Sequence, residues 1–301
     1  MKKSKFALGL LVALSASVML AACGGGGDDP SAATKDSGPI VNTSPGSSTN
    51  PTTPSNPTTP VQGLQVTGSA SLVGSQNVSV LFAGTAMHSN GLSGSFLSTH
   101  FAAASGQAVT PEGAYTQLAA DSGAMTVKLS DVAAIDDVAG NGQYAIGRWS
   151  AGSFTTTTPT VNSTKSIAAN QGAPYMVGIP LDLYSTTNTG TLNCVYDNST
   201  KPSSITGAVA PGSVNVASST ATINVGTKVV AFNLSINIGA DQNVVVSRTS
   251  LVLDMLSMSP TTTVMAETVG SDVTKPYLVV AYGTATPSSG DVNGIAVFKC
   301  Q

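Results

Sequence analysis

Charge is scarce in this chain. Only 9% of its 301 residues are Asp, Glu, Lys or Arg, against roughly 25% in an average soluble domain. It holds two arginines, two histidines, one tryptophan and three cysteines. The scarcity of Glu, Lys and Arg argues against a body of solvent-facing helices, which draw their exposed faces from those residues. Ser, Thr and Asn supply the polarity instead, and they suit sheet surfaces and extracellular linkers. No basic stripe is present to meet nucleic acid or anionic lipid heads. There is no Gly-x-Ser-x-Gly elbow, no His-Glu-x-x-His pair and no phosphate-binding loop, so the sequence gives no positive sign of an enzyme. The glycines of "AGNGQYAIG" precede no helix, which removes a dinucleotide site on context.

What is present begins at the N-terminus with "MKKSKFALGLLVALSASVMLAACGGGGDD". Lys2, Lys3 and Lys5 precede an apolar run that ends in small residues, the design of a secretory signal. Leu20-Ala21-Ala22-Cys23 resembles a bacterial lipobox, in which the cysteine is acylated and becomes the mature N-terminus. The expectation is a signal peptide over 1–22 and a lipid on Cys23, with more than one acyl chain giving a durable anchor. The mature chain would carry nine basic and fifteen acidic groups, a formal charge of −6. Gly24 after the lipidated cysteine implies, by likeness to Gram-negative lipoproteins, sorting to the outer membrane. Residues 23–62 are Gly, Ser, Thr, Asn, Asp and Pro with almost nothing apolar, so their composition predicts a disordered tether. Such a tether has a coil span of roughly 35 Å and an extended reach of about 120 Å.

From Leu64 onward short apolar or alternating runs alternate with Gly, Asn, Ser and Pro clusters, the pattern of many antiparallel strands. "VVAFNLSINIG" is the clearest. Phe232, Leu234, Ile236 and Ile238 share one face and Asn233, Ser235 and Asn237 the other, as a strand with one dry side requires. A hairpin is predicted from there through Gly239–Asn243 into "VVVSRTSLVLD", and one helix over Pro111–Ala120.

Several landmarks occur in order in the second half: Gly147-Arg148-Trp149 with Gly152, "PYMVGIP" at 174–180, and "GTLNCVYDNSTKP" with Gly190, Thr200, Lys201 and Pro202. Gly207 and a closing "NGIAVFK" at 293–299 follow. In these the chain resembles the small β-barrel of transferrin-binding-protein-B-like surface lipoproteins, a module also found at the end of some FecR-domain proteins. Cys194 stands where that pattern favours an aromatic residue, "YLVVAYG" is more aliphatic than its counterpart, and residues 64–130 match nothing in it. The strand pattern predicts an all-β fold with a smaller β segment over 63–130, and the resemblance implies an antiparallel barrel of roughly eight strands over 131–301. Transferrin binding does not carry over, because no loop of that function aligns.

With Cys23 assigned to lipid, Cys194 and Cys300 remain in an oxidising compartment. Cys194 shares a strand face with Leu192 and Tyr196, and Cys300 with Phe298, so a disulfide is predicted, two buried thiols being the alternative. His88 and His100 sit on loop-like stretches without zinc-ligand spacing and read as solvated or hydrogen-bonded loop residues. Asp136–Gly142, "DDVAGNG", reads as a hairpin turn at Asn141-Gly142 rather than a calcium loop. Gly147, Arg148 and Trp149 are assigned as a structural pin, a ligand platform being the alternative. Adjacent strand residues point to opposite faces, which separates the guanidinium from the indole. No catalytic residue, metal ligand or cofactor is assigned beyond the lipid on Cys23. The expected function is a non-catalytic interaction module on the outer membrane, surface-exposed. It is anchored through acyl chains, binds an unidentified protein or small molecule, and takes no nucleic acid. A periplasm-facing scaffold is the alternative.

Overall fold

A computed structural model of the chain describes residues 63–301; the expected signal peptide, Cys23 and the tether lie outside the described residues. Ten strands of the first half form one sheet. They are β1 (Leu64–Ser71) and β2 (Asn77–Phe82) and, after a small hairpin of β3 (Met87–His88) with β4 (Gly91–Leu92), β5 (Leu97–Ala103), β6 (Ala108–Val109) and β7 (Tyr115–Ala119). Then come β8 (Thr126–Leu129), β9 (Ala133–Asn141), β10 (Tyr144–Thr157), β11 (Asn162–Ile167) and β12 (Ala173–Gly178). A second ten-stranded sheet holds β13 (Thr191–Ser199), β14 (Ser203–Ser204), β15 (Ser213–Val214), β16 (Thr220–Asn224) and β17 (Val229–Ile238). It continues with β18 (Asp241–Val252), β19 (Leu256–Ser259), β20 (Thr262–Val269), β21 (Tyr277–Thr286) and β22 (Gly290–Cys300).

The first sheet runs β5-β2-β12-β10-β8-β7-β6, with β9 and β11 also on β10; the second runs β15-β17-β16-β13-β22-β21-β20-β19, with β18 on β17 and β14 on β22. Pairing is antiparallel except between β1 and β9. In neither sheet do the end strands hydrogen-bond to each other. The fold is therefore all-β with large, open, mainly antiparallel sheets.

Alternation along the strands produces three cores. Val78, Val80 and Phe82 of β2 face Trp149, Tyr175 and Val177 inside the first sheet. Phe232, Leu234, Ile236 and Ile238 of β17 face Leu278, Val280 and Phe298 inside the second, the side that their spacing predicts, and the β17–β18 hairpin forms as expected. The residues between them point the other way and meet sheet to sheet: Leu81, Tyr144, Ile146 and Met176 against Val269, Val279, Ala281, Ile295 and Val297.

Three features differ from the sequence reading. The division expected after residue 130 runs through the first sheet, because β10 is long enough to pair with β8 on one part and β9 on another; the hydrogen bonding separates between Gly178 and Thr191 instead. The helix expected over Pro111–Ala120 is a turn followed by β7. Gly113 adopts φ +80°, and pairing with β8 buries Leu118 fully, a tertiary gain that outweighs the helix propensity of "TQLAA". Strands β5 and β9 were not anticipated, their apolar alternation being weak.

In both sheets a glycine stands opposite a tyrosine whose ring covers it: Gly147 with Tyr175 and Gly294 with Tyr282. A Cβ at either glycine would collide with that ring. Trp149 is fully buried beside Tyr175. It donates from Nε1 to the Tyr115 carbonyl at 2.8 Å and packs at ring-centroid distances of 4.9 Å from Phe82 and 6.0 Å from Tyr175. Replacing it by alanine removes a large ring and leaves that carbonyl unpaired. Trp149→Ala is expected to cost about 3–5 kcal/mol, read as a lowered urea midpoint with an unchanged slope.

Candidate functional site

Strand β10 delivers its residues to two different places. Gly147 and Trp149 enter the core of the first sheet; Arg148, between them, faces the second sheet and is only 3% exposed. Its Nε donates to Asp137 Oδ2 at 2.6 Å, and its Nη2 lies 3.4 Å from Asp136 Oδ2. Asp137 reaches it because β9 bulges there: Asp137 and Val138 stand opposite Gly147 alone, and Asp137 takes φ +58°. A bulge of this kind re-aims a side chain at the cost of one ladder bond. The same carboxylate accepts the backbone N–H of Lys201, from the turn between β13 and β14, at 2.9 Å. One buried carboxylate thus binds the guanidinium of one sheet to the backbone of the other. Most of "DDVAGNG" is strand, the turn falls at Asn141-Gly142, and both aspartates are engaged by Arg148.

Cys194 and Cys300 stand directly opposite each other on β13 and β22 and form a disulfide with an S–S distance of 1.98 Å. Both lie in the core of the second sheet. His88 is hydrogen-bonded to Ser93 Oγ at 3.2 Å and lies 3.7 Å from Asp291.

His100 departs from its reading as a loop residue. It sits on β5 at a second bulge, where His100 and Phe101 together oppose Ser79 of β2. The bulge turns the imidazole toward the second sheet, and Nδ1 meets Ser79 Oγ at 3.1 Å. Two carboxylates come from the other side. Glu267 lies on β20 between Met265 and Val269, whose side chains fill the sheet-to-sheet core, and is completely buried. Asp254 follows β18 in the left-handed region, φ +62°, with its N–H donating to the Ala266 carbonyl at 2.7 Å. His100 Nε2 is 3.1 Å from Asp254 Oδ1 and 3.7 Å from Glu267 Oε2. The first contact is misaligned for a hydrogen bond and the second is too long for one, and both Glu267 oxygens are without a partner. A cavity of about 190 Å³ opens beside the cluster, lined by His100, Phe101, Pro180, Leu181, Asp182 and Asp254.

Electrostatics at this cluster are unusual for so uncharged a chain. Burial pushes the Glu267 carboxyl up to about 8, with His100 drawing it down less strongly and Asp254 adding to the rise. The adjacent Asp254 raises His100 above its ordinary value, against the effect of burial, and Glu267 and Asp182 add to the rise. The series hydroxyl, imidazole, carboxylate has the membership of a nucleophilic relay, but Ser79 is fully buried. No substrate atom reaches its oxygen in this conformation. What the arrangement offers is one imidazole and two carboxylates converging from opposite sheets, the donor types that hold a divalent cation or share a proton.

No family model matches the chain, and no curated protein matches it in sequence. The sites above therefore rest on their geometry. Sequence spacing could not have assembled this cluster, because its three members come from separate parts of the chain and meet only across the sheet-to-sheet contact. The one local hint was the rarity of histidine.

Two outcomes follow. Asp137→Ala leaves the buried Arg148 guanidinium only its longer contact to Asp136 and is expected to cost about 3–5 kcal/mol, whereas Arg148→Met combined with Asp137→Ala recovers most of that loss in chemical denaturation. With a chelator present, Glu267 has a folded value near 8 against an ordinary 4.5. Its contribution is fully present below pH 4.5 and is lost as pH rises toward 8. His100, raised from 6.5, acts in the same direction at and above that pH. The melting temperature should fall between pH 5 and pH 8, and Glu267→Gln should flatten that fall; an unchanged slope in the variant would contradict the assignment.

Proposed function

We propose that this chain is a lipid-anchored outer-membrane protein that displays a two-sheet β body as a non-catalytic interaction module for a host or envelope protein. The observation that carries the reading is the order of segments in the sequence: Leu20-Ala21-Ala22-Cys23, then a long Gly/Ser/Thr/Pro stretch, then β1 at Leu64. A lipidated Cys23 on a tether of that composition holds the body clear of the lipid surface. In keeping with a binding role, the Ser79 hydroxyl beside His100 is inaccessible. Its surface polarity comes from Ser, Thr and Asn.

The likeness to transferrin-binding-protein-B-like lipoproteins supports the same reading. The landmarks of that likeness run from Gly147-Arg148-Trp149 on β10 and "PYMVGIP" from β12 of the first sheet to "NGIAVFK" on β22 of the second, so the barrel that it implies over 131–301 would draw strands from both sheets. Within the second sheet, β18-β17-β16-β13-β22-β21-β20-β19 form a continuous hydrogen-bonded run. Across its seam Arg248 of β18 donates to the Thr262 carbonyl of β20 at 2.8 Å and to Ser259 Oγ of β19 at 2.9 Å. A side chain there takes the place of a backbone ladder.

Cell fractionation and protease treatment test the proposal. Wild-type chain should partition with the outer membrane and be digested on intact cells, and Cys23→Ser should move it to the soluble fraction. Membrane retention of Cys23→Ser would overturn the anchor. Complete protection until the outer membrane is ruptured would overturn surface display in favour of a periplasm-facing scaffold.

A further inference from the structure

We propose that His100, Asp254 and Glu267 form a binding site for a divalent transition-metal ion of the zinc class, which clamps the two sheets together. Their donor atoms all lie within 4.8 Å of one another. Glu267 is the decisive member. A fully buried carboxyl with two unpartnered oxygens, aimed at an imidazole nitrogen that is itself without a hydrogen bond, is costly as an anion and either keeps its proton or gives it up to a cation that takes its place. A dication balances the two carboxylates, and the three donors meet it from both sheets at once.

The donor set selects the metal. Calcium and magnesium take oxygen ligands, whereas one imidazole with two carboxylates suits zinc and its neighbours. Three protein ligands are the usual complement of a zinc ion that keeps a fourth position open. Here His100 and Asp254 line the cavity, so the fourth position faces it and takes water. Ser79 completes the arrangement. With Nδ1–H donating to Ser79 Oγ, the Nε2 lone pair is directed at the carboxylates, the outer-shell contact that orients a ligating histidine. The bulge in β5 that turns His100 inward, and the left-handed backbone that turns Asp254 toward it, both place side chains on this one point.

Calorimetric titration of zinc into the full chain, carrying Cys23→Ser in every sample to remove a competing thiol and stripped with a chelator beforehand, tests the site. One equivalent should bind, the melting temperature should rise with zinc concentration, and millimolar calcium should do neither. Removing an outer-shell partner weakens a metal site about 10–100-fold, so loss of a ligand in Glu267→Gln or His100→Asn should exceed about 100-fold. Glu267→Gln is nearly isosteric and removes a buried charge, so it should fold. X-ray absorption on the zinc form should show a single imidazole. Absence of zinc binding, or one equivalent bound equally by wild type, Glu267→Gln and His100→Asn, would overturn the proposal.

Discussion

The burial of β10 on both faces is the constraint on which the rest of this fold depends. An antiparallel strand usually keeps one wet side. Here Tyr144, Ala145, Ile146, Gly147, Arg148 and Trp149 are all buried in succession, so each face must have a partner surface. Trp149 and Ala145 are covered by the first sheet's own strands, and Tyr144 and Ile146 by the second sheet. The two sheets are consequently parts of one packed body, joined through an apolar layer.

Polar groups inside such a layer must be paired, and the chain spends its scarce charges there. Arg148 is satisfied by Asp136 and Asp137, and Asp137 also by the backbone of Lys201. Nearby Tyr144 donates to Asp197 and accepts from Asn198 Nδ2 at 3.1 Å, again from one sheet to the other. Thr85, Thr263, Tyr282 and Asn293 each leave a buried oxygen unpaired, and His100, Asp254 and Glu267 are the ionisable groups that converge without hydrogen bonds to one another. A fully buried carboxyl without a hydrogen-bond partner, in a layer where Arg148 and Asp137 are paired, is the kind of local inconsistency that accompanies function. In both polar sites a β-bulge supplies the geometry, and in each the bulged strand is one whose sequence alternation is weak.

Legibility from sequence followed locality. Strands such as β17 and β22 could be read because period-two alternation is a property of a few adjacent residues. The pairing of Cys194 with Cys300 could be expected because both sulfurs shared a face with apolar neighbours. The segment "LSTHFAA", by contrast, carries no clean alternation, since the bulge at His100 and Phe101 breaks the period. The strand and its histidine were therefore read as loop. "PEGAYTQLAA" erred the other way: its composition favours a helix, and only the β8 partner makes it a strand.

The sequence by itself determined the class of structure, the strand positions with clear alternation, the disulfide partners and the rarity that singled out Arg148 and Trp149. Only the tertiary structure decided where one sheet ends and the next begins, which carboxylates meet Arg148, and that His100 faces Glu267 and Asp254. The reason is physical. Alternation records which side of a strand is dry, but not what lies against that side. Contacts between sheets are set by packing among residues far apart in the chain, and no local pattern encodes them.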